Sequence, residues 1–86
     1  MGAIVKRSIL ASRVRVGEGA LVEDSVLFDH VTVGEGAVLR RCIIDKYVDI
    51  PPGTTIGVDP KSDQEQFTVS DQGIIVVPRG YRFGSV

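Results

Sequence analysis

Apolar residues recur along the first two-thirds of the chain in steps of five, six and six: Val5, Leu10, Val16, Val22, Leu27, Val33, Leu39, Ile44, Ile50 and Ile56. From Leu10 onward, each is preceded two residues earlier by a second small or β-branched side chain: Ser8, Val14, Ala20, Ser25, Val31, Ala37, Cys42, Val48 and Thr54. Two inward positions flanking one outward position is the period of a strand. The steps add to seventeen, and the sequence itself repeats with that period. Residues 4–20, IVKRSILASRVRVGEGA, and residues 21–37, LVEDSVLFDHVTVGEGA, agree at nine positions, and residues 38–54 keep the apolar pattern. Seventeen residues is close to three hexapeptides, the unit of a parallel β-helix. The pattern predicts an all-β parallel β-helix of about three coils over residues 1–57. Gly19, Gly36 and Gly53 fall in register and suit corners, where glycine takes positive φ without strain. An amphipathic helix is excluded by the β-branched residues and by glycines inside every period.

Stacked coils set residues seventeen apart about 4.8 Å from one another. Lys6, Glu23 and Arg40 then form one column and Arg7, Asp24 and Arg41 the next, each alternating plus, minus, plus. Such exposed ladders favour register more than stability. Two outward columns are apolar instead: Ile4, Leu21 and Val38, and Ile9, Val26 and Ile43, with Phe28 nearby. An aligned apolar strip on an outer face reads as an interface with another chain.

The pattern changes after Ile56. Asp59-Pro60 reads as an N-cap with proline in the first helical turn, opening a short helix through Gln66. Residues 67–69 and 74–77 read as two strands of a hairpin joined through Gly73. Helical turn and hairpin, residues 58–80, are expected to pack on or cap the end of the prism, leaving a mobile tail at 81–86.

Ten Lys plus Arg against eleven Asp plus Glu leave no electrostatic footprint for nucleic acid. No apolar run spans a bilayer, and no signal peptide opens the chain. The single cysteine, Cys42, has no partner for an internal disulfide, which fits a reducing, cytoplasmic setting, and its inward column predicts a buried, inert thiol. One histidine is too few for a three-histidine zinc site. The residues show no glycine-rich nucleotide loop and no recognisable pair of metal-binding carboxylates, so no catalytic residue and no metal ligand is assigned.

The run RRCIIDKYVDIPPGTTIG, then DP, then FTVSDQGIIVV closely resembles the C-terminal end of bacterial ADP-glucose pyrophosphorylases, the glucose-1-phosphate adenylyltransferases, and RSILASRVRV resembles their preceding coils. The resemblance covers Ile4 to about Arg79. It implies that the β-helix is left-handed and follows an N-terminal catalytic domain in a homo-oligomeric enzyme. That enzyme makes ADP-glucose and pyrophosphate from ATP and glucose 1-phosphate for glycogen synthesis, with magnesium in the catalytic domain and no cofactor in this region. The region then serves subunit contacts and the binding of phosphorylated allosteric effectors, and this chain alone is expected to be inactive, a piece cut from a longer enzyme. Lys46 and Arg79 match basic positions near the effector phosphate, and both residue types suit a phosphate. Phe83 departs from the pattern, because some relatives carry a basic residue there. Two other readings stay open: a stand-alone hexapeptide acyltransferase trimer with His30 as general base, although His30 is expected to face solvent in a column with Arg13 and Tyr47, and a purely structural oligomerisation module.

Overall fold

A computed structural model describes residues 2–58, 60–81 and 83. Ten short strands build three coils and begin a fourth. They are β1 (Ile4–Lys6), β2 (Ile9–Leu10) and β3 (Arg15–Val16), then β4 (Leu21–Glu23), β5 (Val26–Leu27) and β6 (Thr32–Val33), then β7 (Val38–Arg40), β8 (Cys42–Ile44) and β9 (Asp49–Ile50), and finally β10 (Thr55–Ile56). Every pairing among them is parallel, and each joins residues seventeen apart, such as Val5 to Val22 and Val22 to Leu39. The three faces of the prism are the sheets β1-β4-β7-β10, β2-β5-β8 and β3-β6-β9. The apolar periodicity produces this arrangement because alternate residues of each short strand point into one shared interior. Val22, Leu27, Val33, Leu39, Ile44, Ile50 and Ile56 are buried there, with Ala20, Val31, Ala37, Cys42 and Val48 beside them.

The corners obey a rule that the glycines reveal only in part. Gly19, Gly36 and Gly53 take φ of 75°, 69° and 75° at one corner. The other two corners use the same left-handed backbone without glycine: Arg7, Asp24 and Arg41 at 47–51°, and Arg13, His30 and Tyr47 at 59–60°. Left-handed φ costs an ordinary side chain about 1–2 kcal/mol, and here the bonds between coils hold it in place. At the Arg7 corner a hydroxyl ladder helps. Ser8 Oγ donates to the Lys6 carbonyl and accepts the Ser25 N–H, and Ser25 Oγ donates to the Glu23 carbonyl and accepts the Cys42 N–H.

The charge columns pair more unevenly than a simple ladder. Arg7 forks onto Asp24 at 2.7 and 3.2 Å and also reaches Glu23 at 3.4 Å, while Arg40 approaches Glu23 from the other side at 3.3 Å. Arg7 therefore takes the place expected of Lys6, because its planar guanidinium spans both carboxylates. The hydrogen bond from Arg7 holds the Asp24 carboxyl below its usual range.

Cys42 is 1% exposed, with its sulfur 3.4 Å from Ser25 Oγ, and burial pushes the thiol up to about 11 from 9.0. Folding thus favours the neutral thiol. The corresponding stability is complete below pH 9 and is lost as pH rises through 11, because the unfolded chain releases its proton first. A loss of roughly 2–3 kcal/mol over that window is expected from the shift. Urea melts across pH 8–12 of the wild type and Cys42→Ala should diverge by this amount, and parallel profiles would contradict it.

Beyond β10 the chain leaves the coil path and then rejoins it. Helix α1 (Pro60–Gln66) has Asp63 buried, with its Oδ2 accepting the Gly57 N–H at 3.0 Å, which ties the helix to the end of the coils. The N-cap expected at Asp59 lies outside the described residues. Strand β11 (Thr68–Val69) pairs antiparallel with β12 (Ile75–Val77), and β12 lies parallel on β8 with Ile75 opposite Cys42 and Val77 opposite Ile44. The hairpin therefore extends a prism face, and β12 occupies the place of a fourth-coil strand. One coil would place that strand seventeen residues after β8, whereas it lies thirty-three after, so sixteen residues are inserted. Gly80 continues the second corner with φ of 69° and donates to the Lys46 carbonyl at 3.0 Å.

Tyr81 and Phe83 belong to the segment expected to be a tail. Both pack against the core with Phe67, their ring centroids 4.8–5.7 Å apart. At the same thirty-three-residue offset they follow Val48 and Ile50, so they take over the inward positions of an unfinished side. Among the described residues the opposite end has no such cover. Val5 and Leu10, inward by pattern, are 42% and 37% exposed.

Candidate functional site

The sixteen-residue insertion decides where the candidate effector residues meet. Lys46 and Arg79 stand thirty-three apart, the same offset as β8 to β12, so they are neighbours in one column at the second corner. The Gly80 N–H bonded to the Lys46 carbonyl fixes that juxtaposition. Both side chains are exposed. Asp45 Oδ1 accepts the Lys46 backbone N–H at 2.7 Å, and the Arg79 guanidinium sits 5.4 Å from the centre of the Tyr47 ring. Tyr47 stacks in turn on His30, with centroids 4.8 Å apart and planes within 20°. A cation over an aromatic face is favoured by the ring quadrupole, so the stack limits the directions in which Arg79 points. Neither Lys46 nor Arg79 forms an ion pair among the described residues, and each keeps its donors for an anion.

His30 does not stand free in solvent as its outward position suggested. The Tyr47 ring covers one face, and Nδ1 is buried without a hydrogen-bond partner. A general base needs an orienting partner on its second nitrogen, and among the described residues none bonds Nδ1. Around this stack, Arg13, Arg15, Thr32 and Asp49 line an open depression of about 460 Å³ together with His30 and Tyr47. Its basic members went unassigned in the sequence, where Arg13 had appeared only as a column neighbour of His30.

The apolar residues of the outer faces come together as two adjoining strips. Ile4, Leu21 and Val38 follow one another across β1, β4 and β7, and Ile9, Val26 and Ile43 across β2, β5 and β8. Val76 of β12 lies opposite Ile43 and lengthens the second strip to four. Sequence spacing gave no sign of Val76, because the insertion breaks its register. Ile9 is 67% exposed, and Ile4 and Phe28 are also exposed, while the inner members are half-covered by their column neighbours.

Among the described residues no group of three or more His, Cys, Asp or Glu side chains could hold a metal ion, so no step is assigned to magnesium in this chain. Among them, too, no helix is long and apolar enough to cross a membrane.

Residues 1–77 match a family described as GlmU-like, C-terminal hexapeptide. The chain is similar to glucose-1-phosphate adenylyltransferase 2 of Vibrio cholerae, at 50% identity over 84 residues, covering 98% of this chain and 21% of that protein. It is 51% identical over 82 residues to glucose-1-phosphate adenylyltransferase 2 of Vibrio parahaemolyticus, covering 95% of this chain and 20% of that one. A shorter match, 57% over 37 residues, joins it to glucose-1-phosphate adenylyltransferase of Deinococcus deserti, covering 42% of this chain and 9% of that protein. The matched part is the C-terminal region of these proteins, and the chain spans about a fifth of the length of the two Vibrio relatives.

Proposed function

The chain belongs to the GlmU-like C-terminal hexapeptide family, and from that premise we propose that it is the oligomerisation and allosteric-regulatory domain of a glucose-1-phosphate adenylyltransferase. In this reading the enzyme joins ATP and glucose 1-phosphate into ADP-glucose and pyrophosphate in the bacterial cytoplasm. Its magnesium and its chemistry belong to an N-terminal catalytic domain with which this domain works. The observation that carries the reading is half identity across nearly the whole chain with a Vibrio enzyme of that name.

Two features of the surface support separate parts of it. The apolar strips, with Ile43 central and Val76 at one end, suit a subunit contact, because aligned exposed apolar residues gain by being covered. The Lys46–Arg79 pair suits the phosphate of an effector, since an ammonium and a forked guanidinium carried on neighbouring positions of one corner are both phosphate partners. Binding of an anion by this pair would favour this role over a purely structural module.

Both parts are tested on one sample. Light scattering is expected to give an oligomer for the wild type and a folded monomer for Ile43→Lys. Titration with inorganic phosphate is expected to move the Lys46, Arg79 and Gly80 amide signals, and Lys46→Ala with Arg79→Ala to abolish the movement. A folded wild-type monomer would remove the interface from the proposal, and phosphate shifts indifferent to the two substitutions would remove the regulatory site.

A further inference from the structure

The third face of the prism ends differently from the other two. Its sheet stops at β9, whereas β10 and β12 add a fourth strand to the other faces. The chain returns to this side at Gly80, Tyr81 and Phe83, yet among the described residues no strand pairing joins it to β9. A groove of about 940 Å³ remains, lined by β6 and β9, by the Pro51-Pro52 segment and by Tyr81 and Phe83. The two rings meet edge to face, with centroids 4.8 Å apart and planes at 75°. Both also lean on Phe67, at 5.3 and 5.7 Å. Three rings packed on one another hold a fixed aromatic surface. The polar side chains of the groove are of one kind. Glu35 and Asp49 carry exposed carboxylates, Thr32 carries a hydroxyl, and no Lys, Arg or His lines the groove among the described residues. Neither carboxylate forms an ion pair among them.

We propose that this groove binds a neutral saccharide of two or three sugar rings, its carbon face on Tyr81 and Phe83 and its hydroxyls on Asp49, Glu35 and Thr32. The site differs in chemistry from the Lys46–Arg79 pair and does not rest on it. Two carboxylates without a cation beside them repel phosphate and other anions. An ionised carboxylate only accepts hydrogen bonds, and a sugar ring supplies hydroxyl donors on successive carbons. The opposite demand comes from the aromatic and proline carbon, which gains by being covered with an apolar surface. A sugar meets both, because its C–H face is apolar while its edge is lined with hydroxyls. An exposed ion pair adds little in water, so the two carboxylates do not by themselves select a cation. The volume lies near the upper end of small-molecule sites, roughly 300–1,000 Å³, which leaves room for more than one sugar ring.

The full chain is titrated by amide NMR and calorimetry with maltotriose and cellotriose, and with spermidine as a cationic probe. At least one trisaccharide is expected to move the Glu35, Asp49 and Tyr81 amides, and to do so equally in the Lys46→Ala, Arg79→Ala double variant. Asp49→Ala is expected to weaken that binding about ten-fold, the loss of a hydrogen bond to a charged group. Tyr81→Ala is expected to abolish it and Tyr81→Phe to keep it, because the ring and not its hydroxyl carries the stacking. Thermal melts establish which variants fold. If Tyr81→Ala does not, Glu35→Ala and Asp49→Ala, both at exposed positions, carry the test. No movement of these amides with either trisaccharide would overturn the saccharide site, and so would binding indifferent to both alanine variants. Spermidine moving the same amides while both trisaccharides leave them still would overturn it in favour of a cationic ligand. Each of these results leaves the Lys46–Arg79 reading to its own phosphate titration.

Discussion

Gly34→Ala is expected to unfold the chain at room temperature, whereas Gly36→Ala, two residues further on, is expected to lower its stability by only about 1 kcal/mol. The two glycines look alike in the repeated VGEGA motif but do different work. Gly36 sits at a corner with φ of 69°, and a methyl group there would meet nothing within 4 Å. Its substitution costs only the left-handed backbone preference, which the chain already tolerates at His30 and Tyr47. Gly34 has ordinary φ but no room. Its Cβ would lie against the Pro52 nitrogen, 2.6 Å from the Pro51 carbonyl carbon and 2.7 Å from the Ile50 carbonyl oxygen. Those atoms are backbone, stiffened by two consecutive prolines, and the Gly34 N–H is bonded to the same Ile50 carbonyl at 2.8 Å. Relief would require separating two coils, so the loss is expected to reach about 4–5 kcal/mol, the extreme for a single substitution. Urea melts of both variants measure the contrast. Similar midpoints for the two would show that close approach of the coils is not what selects glycine at position 34.

The second large effect compares the same residue in two coils. Leu27→Ala is expected to cost about 3–4 kcal/mol, within the range for leucine deletions in a packed interior. Leu10→Ala is expected to cost about 1 kcal/mol. The two leucines occupy the same position in the repeat and face each other in the β2–β5 pairing. Leu27 is fully buried between coils above and below, while Leu10 is 37% exposed, with no coil on its outer side among the described residues. Deleting Leu27 leaves a cavity that the short, doubly paired strands are poorly able to close, and deleting Leu10 enlarges a surface already open to water. Equal losses would mean that coil one is covered in solution, by a partner or by another coil.

These contrasts show which parts of the molecule were legible in the sequence. The inward columns, the seventeen-residue register and the burial of Cys42 all followed from spacing, because every coil repeats the previous one at a fixed offset and burial follows alternation along a strand. The glycine corner was legible, but the two other left-handed corners were not. Arg and Tyr carry no local mark of positive φ, Asp and His only a weak one, and the bonds to the neighbouring coil hold it at Arg7 and Tyr47 alike. The apolar strips could be aligned through Ile43 but not to Val76, and Lys46 and Arg79 were picked out singly but not as neighbours.

The sequence by itself determined the repeating prism, its interior and its outer apolar columns, because a constant offset turns a one-dimensional pattern directly into stacked neighbours. Only the tertiary structure decided how the chain continues once that offset is broken. Sixteen extra residues remove any rule linking position 42 to position 75, and the pairing is chosen by long-range energetics: β12 finds an open strand edge on β8 and buries Ile75 and Val77. From that choice came the Lys46–Arg79 pair, the Tyr47 stack beneath Arg79 and the aromatic closure by Phe67, Tyr81 and Phe83.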